Sequence, residues 1–99
     1  MRVNIGKYRK NCTRKISIRI DESDTYNVDV TLSHIIWRLL SRYKKVTLSG
    51  WDDMSNNKWK KILKKIINAF KDISEGNYAD ESTKEGLNLF AIHYFRFWW

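Results

Sequence analysis

The hydrophobic positions fall into one short run of period two and three long runs of period near 3.6. Residues 15–20, KISIRI, alternate strictly, with Ile16, Ile18 and Ile20 on one side and Lys15, Ser17 and Arg19 on the other. Period two with β-branched residues predicts a half-buried strand. Residues 2–5, RVNI, are its candidate partner, with Gly6 and the polar stretch 9–13 in the connection. A lone strand leaves backbone groups unpaired, so the partner comes from this chain or from a second copy. Residues 21–27, DESDTYN, predict a turn, because Asp and Asn bond to their own nearby backbone.

The longer runs predict three amphipathic helices. In the first, about 28–44, Val28, Leu32, Ile35, Ile36, Leu39, Leu40 and Tyr43 share a stripe. Asn27 suits its N-cap and Asp29 its first turn, and Arg42, Lys44 and Lys45 complement its C-terminal end. In the second, about 57–73, Trp59, Ile62, Leu63, Ile66, Ile67, Phe70 and Ile73 form the stripe, and Lys58, Lys60, Lys61, Lys64, Lys65 and Lys71 take the other face. Gly76 and Asn77 stop it. The third, about 82–97, opens on Ser82-Thr83-Lys84-Glu85, the pattern of a capping box. Leu87, Phe90, Ala91, Tyr94 and Trp98 form one stripe, and Leu89, Ile92, Phe95, Phe97 and Trp99 lie outside it. A helix apolar nearly all round needs cover on a second side, which implies a homo-oligomer interface or a ligand pocket. The fold class is therefore α+β, mainly α: a short N-terminal β element and three helices in a single domain, 1–99, with no proline, repeat or linker to divide it.

At 99 residues the core is modest, and five Trp, five Tyr and four Phe must supply much of it. Cys12 stands alone, so the chain forms no internal disulfide and no zinc site of the usual Cys/His type. The first residues lack a signal-peptide core, and no apolar run reaches the roughly 18 residues of a membrane span. The expected setting is a reducing cytoplasm, without membrane attachment.

Charge changes the picture more. The net charge is +8, and residues 1–20 carry seven bases and no acid. Residues 21–31 carry four acids and no base; residues 32–75 carry ten bases against four acids. Such a balance favours anionic partners, namely nucleic acid, nucleotides or an acidic protein. It also serves plain solubility.

Several stretches carry a family likeness. In residues 15–32 the pattern is R-I-D, then D-T-aromatic-x-x-D-x-T-L, then a helix beginning I-I. The residues are Arg19, Ile20, Asp21, Asp24, Thr25, Tyr26, Asp29, Thr31, Leu32, Ile35 and Ile36. Ile5, Gly6 and Tyr8 give an I-G-x-Y opening. Trp59, Ile62, Leu63, Ile66, Ile67, Ala69 and Phe70 give W-x-x-I-L-x-x-I-I-x-A-F. Gly86, Leu87, Leu89, Phe90, Tyr94 and Trp98 match the ending. The chain thus resembles a family of small tailed-bacteriophage proteins without an established activity. Tyr26 stands where that family usually has Trp, and Trp37 where it has proline in the first helix. The resemblance implies a phage protein at work in the cytoplasm of an infected bacterium.

The densest carboxylates are Asp21, Asp24 and Asp29. They serve either turn and cap formation or ligand contacts, with divalent-metal chemistry a further alternative. Thr25, Tyr26 and Thr31 add hydroxyls and an aromatic face, and Lys15 and Arg19 add positive charge. Such a set can hold a nucleotide: Tyr26 on the base, Arg19 on phosphate, an Asp on ribose hydroxyls, and Trp98 from a neighbouring copy. His34 and His93 have no obvious Ser or Cys partner, and no catalytic set or cofactor site is recognisable. Taken with the phage likeness, the expected function is counter-defence by sequestration of a small nucleotide immune signal, a cyclic dinucleotide or cyclic ADP-ribose type, without catalysis. The alternatives are a nucleic-acid-binding accessory protein acting through Lys58, Lys61, Lys64, Lys65 and the basic N-terminus, an inhibitor of a host protein, and a metal-dependent enzyme that cleaves nucleotides.

Overall fold

Two strands and three helices follow one another along the chain: β1 (Arg2–Ile5), β2 (Ile16–Arg19), α1 (Val28–Val46), α2 (Asn56–Ser74) and α3 (Glu81–His93). Short 3-10 turns occupy Glu22–Thr25 and Tyr94–Arg96. The computed structural model describes residues 1–47, 54–77 and 80–97. The architecture is mainly α with one small antiparallel sheet, as the periodicities require.

β1 and β2 pair with Arg2 opposite Arg19, Val3 opposite Ile18, Asn4 opposite Ser17 and Ile5 opposite Ile16. Side chains alternate across a strand, so the four apolar residues share one face and the four polar residues the other. The Gly6 amide donates to the Lys15 carbonyl at 2.8 Å and extends the ladder by one rung. Alternation predicts half-buried strands, but every residue of both is exposed. The reason is that no helix lies against the hairpin among the described residues.

The helical layer is built around α2. Its buried residues Trp59, Leu63, Ile66, Ala69, Phe70 and Ile73 recur at helical spacing and form a continuous stripe. The Ser55 hydroxyl caps its first turn by accepting from the Lys58 amide at 3.2 Å. Gly76, at φ +88°, ends it in the left-handed conformation that favours glycine. α1 and α3 both pack on α2 and not on each other.

Phe97 ties the three helices together. Its ring lies 5.6 Å from Tyr43 of α1, 5.6 Å from Trp59 of α2 and 5.7 Å from Phe90 of α3. Helical spacing in the sequence puts Phe97 outside the stripe instead. The difference has a simple cause: α3 ends at His93, and the tighter 3-10 turn after it shifts the angular phase.

Two cap assignments also change. α3 begins at Glu81 behind Asp80, so Ser82 and Glu85 do not form a capping box. Glu85 instead accepts from Lys65 of α2 at 2.9 Å. Asn27 does precede α1, but in the left-handed region (φ 52°) and with no side-chain cap bond. Nor are α3 and the 3-10 turn after it covered on a second side among the described residues: Ile92 and Phe95 are 71% and 88% exposed.

Candidate functional site

The acidic residues gather around the start of the chain. Asp24 accepts from the Met1 amino group at 2.9 Å and from the Asp21 amide at 2.8 Å. Asp21 lies 3.5 Å from the same amino group. The hydrogen bond from Met1, aided by the Asp21 amide, holds the Asp24 carboxyl below its usual range. The bond to Asp24 likewise raises the amino group above its usual value. The Thr25 hydroxyl donates to the Glu22 carbonyl at 2.6 Å. Asp24 and Thr25 are thus engaged in a local clasp that fastens β1 to the 3-10 turn.

The other expected ligand residues are spread out. Tyr26 is exposed and Thr31 half-buried. Asp29 sits in the first turn of α1, at the rim of an apolar cavity that also includes Leu32, Ile36 and Leu87. Lys15 lies beside Asn4, Gly6 and Ser17 on the hairpin, and Arg19 faces Arg2. Trp98 lies outside the described residues. These side chains do not line one common cavity among the described residues: Lys15 and Asp29 border different ones. Among the described residues, no three His, Cys, Asp or Glu side chains group as metal ligands. His34 Nδ1 is 3.2 Å from the Arg38 guanidinium, and His93 meets the Trp59 ring edge-on at 5.6 Å.

Positive charge is concentrated in two places instead. The first is the hairpin. Its connection, residues 6–15, holds Lys7, Arg9, Lys10, Arg14 and Lys15. Two backbone bonds, Arg9 N–H to Thr13 O at 2.7 Å and Cys12 N–H to Arg9 O at 3.0 Å, fold it into a tight turn. Arg14 packs over the Tyr8 ring, 4.4 Å from its centroid, and donates to the Gly6 carbonyl at 2.9 Å. On the polar face, Arg2 and Arg19 stand directly opposite each other, a like-charge pair that disfavours the hairpin unless an anion lies across it.

The second place is a cleft of about 440 Å³ where the last turns of α1 meet the first half of α2. Lys44, Lys45, Lys60 and Lys64 line it with Ser41, Asn68 and Ile67. None of the four lysines is ion-paired among the described residues. Of the helix-two lysines named from sequence, Lys64 joins this cleft, Lys65 is paired to Glu85, and Lys58 and Lys61 lie in solvent. In the sequence, Lys44 and Lys45 read only as complements to the end of α1. What brings them into the cleft is the packing of α2 along α1.

No helix among the described residues is long and apolar enough to cross a membrane. Comparison of the chain with protein-family models, with curated proteins and with solved structures finds no match in any of the three.

Proposed function

We propose that this protein binds nucleic acid through its basic hairpin, with the four-lysine cleft as a second phosphate contact. The observation that carries the reading is the hairpin itself. Its polar face and its connection stand clear of the helices among the described residues, and it lies in a segment with seven bases and no acid. The polar face of such a ribbon, with Arg2 and Arg19, can lie along a phosphate backbone. Tyr8 adds a ring on which an unpaired base can stack. An accessory role in phage nucleic-acid metabolism fits the family likeness in the sequence.

Fluorescence anisotropy with labelled duplex and single-stranded oligonucleotides, titrated across salt, tests it. Affinity should fall by about 0.9 log units per log unit of salt for each duplex phosphate contacted. No binding even at low salt overturns the reading.

One observation favours a second reading. The lysine cleft has the volume of a small ligand site, and its charge is unbalanced among the described residues. Sequestration of a small nucleotide, cyclic or linear, would use this cleft rather than the acidic clasp. A large thermal shift with one such nucleotide, recovered unchanged after denaturation, would favour it over the nucleic-acid reading.

A further inference from the structure

Among the described residues, two apolar surfaces lie open. One is the hairpin face formed by Val3, Ile5, Ile16 and Ile18, continued by Ile20, whose residues are 42% to 62% exposed. The other is a groove between α1 and α3, left because both helices pack on α2 and not on each other. Two cavities, of about 320 and 570 Å³, meet in it at Ile36. Leu32 and Leu39 form one wall, Leu87 and Tyr94 the other, and Phe95 stands at the mouth.

The whole molecule shows the same deficit of cover. Its accessible surface is 7687 Å², against about 6,000 Å² for a compact monomer of its mass. The radius of gyration is 15.2 Å, against about 13 Å for a compact chain of this length. The excess surface, about 1,700 Å², exceeds the roughly 800 Å² per partner that a stable complex of standard size removes.

We propose that two copies of the chain pair by exchanging hairpins, the apolar face of each hairpin seated in the α1–α3 groove of its partner. A foreign partner would have to offer both a groove for the hairpin and a ridge for the groove. A second copy brings both, and reciprocal seating closes under two-fold symmetry. The lengths agree: Ile16 to Ile20 spans about 13 Å of strand, and Asp29 to Leu39 about 15 Å of helix. Charge agrees too, because the groove residues include no Lys or Arg, and Asp29 lies at its end. Arg2 and Arg19 lie on the opposite face of the hairpin and stay in water. Seating also supplies the packing that an isolated two-stranded hairpin needs to be stable. Pairing does not depend on nucleic-acid binding, and either can fail alone.

Light scattering on the full chain after size-exclusion chromatography tests the proposal. A dimer of twice 11.9 kDa is expected. Leu39→Asp with Phe95→Asp alters the groove, and Ile16→Thr with Ile18→Thr alters the hairpin while keeping β-branched side chains. All four positions are exposed in the single chain, so helix content by circular dichroism should hold. Each pair of changes should weaken dimerisation by at least about tenfold, a loss of about 1.4 kcal/mol. A wild-type monomer at about 100 μM, or either variant dimerising as tightly as wild type, overturns the proposal. A measurement without variants gives a second check. Exchange protection of the β1 and β2 amides should rise with protein concentration, and concentration-independent exchange also overturns it.

Discussion

Gly86 of α3 lies so close to Ala69 of α2 that a Cβ on Gly86 would overlap the Ala69 methyl group. The same Cβ would stand 2.7 Å from the Lys65 carbonyl oxygen. The two helices can cross this closely only where one has no side chain. Lys65 and Glu85, 2.9 Å apart, close the crossing on its solvent side.

Gly86→Ala therefore destabilises the fold although alanine is the better helix former. Overpacking against helix backbone costs about 1–3 kcal/mol, and the gain in propensity returns about 1 kcal/mol. The melting midpoint should fall by roughly 5–10 °C, with Gly86→Val falling further. A midpoint that rises in Gly86→Ala would show that α3 can move away freely.

Thr83, one turn before Gly86, makes the opposite prediction. It is 1% exposed, and its hydroxyl has no hydrogen-bond partner among the described residues. An unpaired buried hydroxyl costs about 1–3 kcal/mol. Valine has nearly the same shape and a similar helix propensity. Thr83→Val should raise the midpoint by several degrees, about 4–8 °C per kcal/mol gained. A fall in calorimetry would mean that the hydroxyl bonds a buried water.

These helix contacts are only partly legible in the sequence. The stripe from Trp59 to Ile73 announces the buried face of α2, and the alternation of KISIRI announces β2 and its pairing with residues 2–5. Periodicity says which face is apolar but not what covers it. The same alternation therefore predicts a half-buried hairpin, which is open in the single chain. Phe97 falls off the predicted stripe because one 3-10 turn resets the phase of a helical count. The acidic residues at 21–29 are visible as a cluster, but the Met1 amino group beside Asp24 comes from 23 positions away and leaves no local signal. The lysine cleft needs the return of α2 along α1, a tertiary fact.

The Asp24–Met1 contact gives the hairpin a pH window. Asp24 titrates below its ordinary value, so its contribution is present above that value and is lost as pH falls through the depressed one. The amino group titrates above its ordinary value of 8.0, so its contribution is complete below 8.0 and is lost as pH rises through the raised one. Order in β1 should be greatest between these limits, measured as amide protection of Asn4 and Gly6, whose N–H groups face β2 in the ladder. Asp24→Asn should flatten both limbs. Acetylating Met1 should remove the alkaline limb, and protection that stays level with pH in the unmodified chain would refute the clasp.

The two basic surfaces can be separated by charge removal. Neutralising Lys7, Arg9 and Lys10 with glutamine leaves the strands, their register and the Arg14 contacts to Gly6 and Tyr8 in place, because all three lie between β1 and β2. If the hairpin holds the backbone, affinity for duplex should drop. The salt slope should shrink by about 0.9 for each phosphate that no longer meets a positive charge, at most about 2.7 for the three. The drop should be similar for unrelated sequences, since phosphates carry no base information. Lys60→Gln with Lys64→Gln should shrink the slope less, by at most about 1.8, because only two charges leave. Should the cleft pair instead account for most of the slope, the principal binding surface is the α1–α2 face and the hairpin is secondary. The size of each change in slope, rather than the drop in affinity alone, counts phosphates and so decides which surface carries the strand.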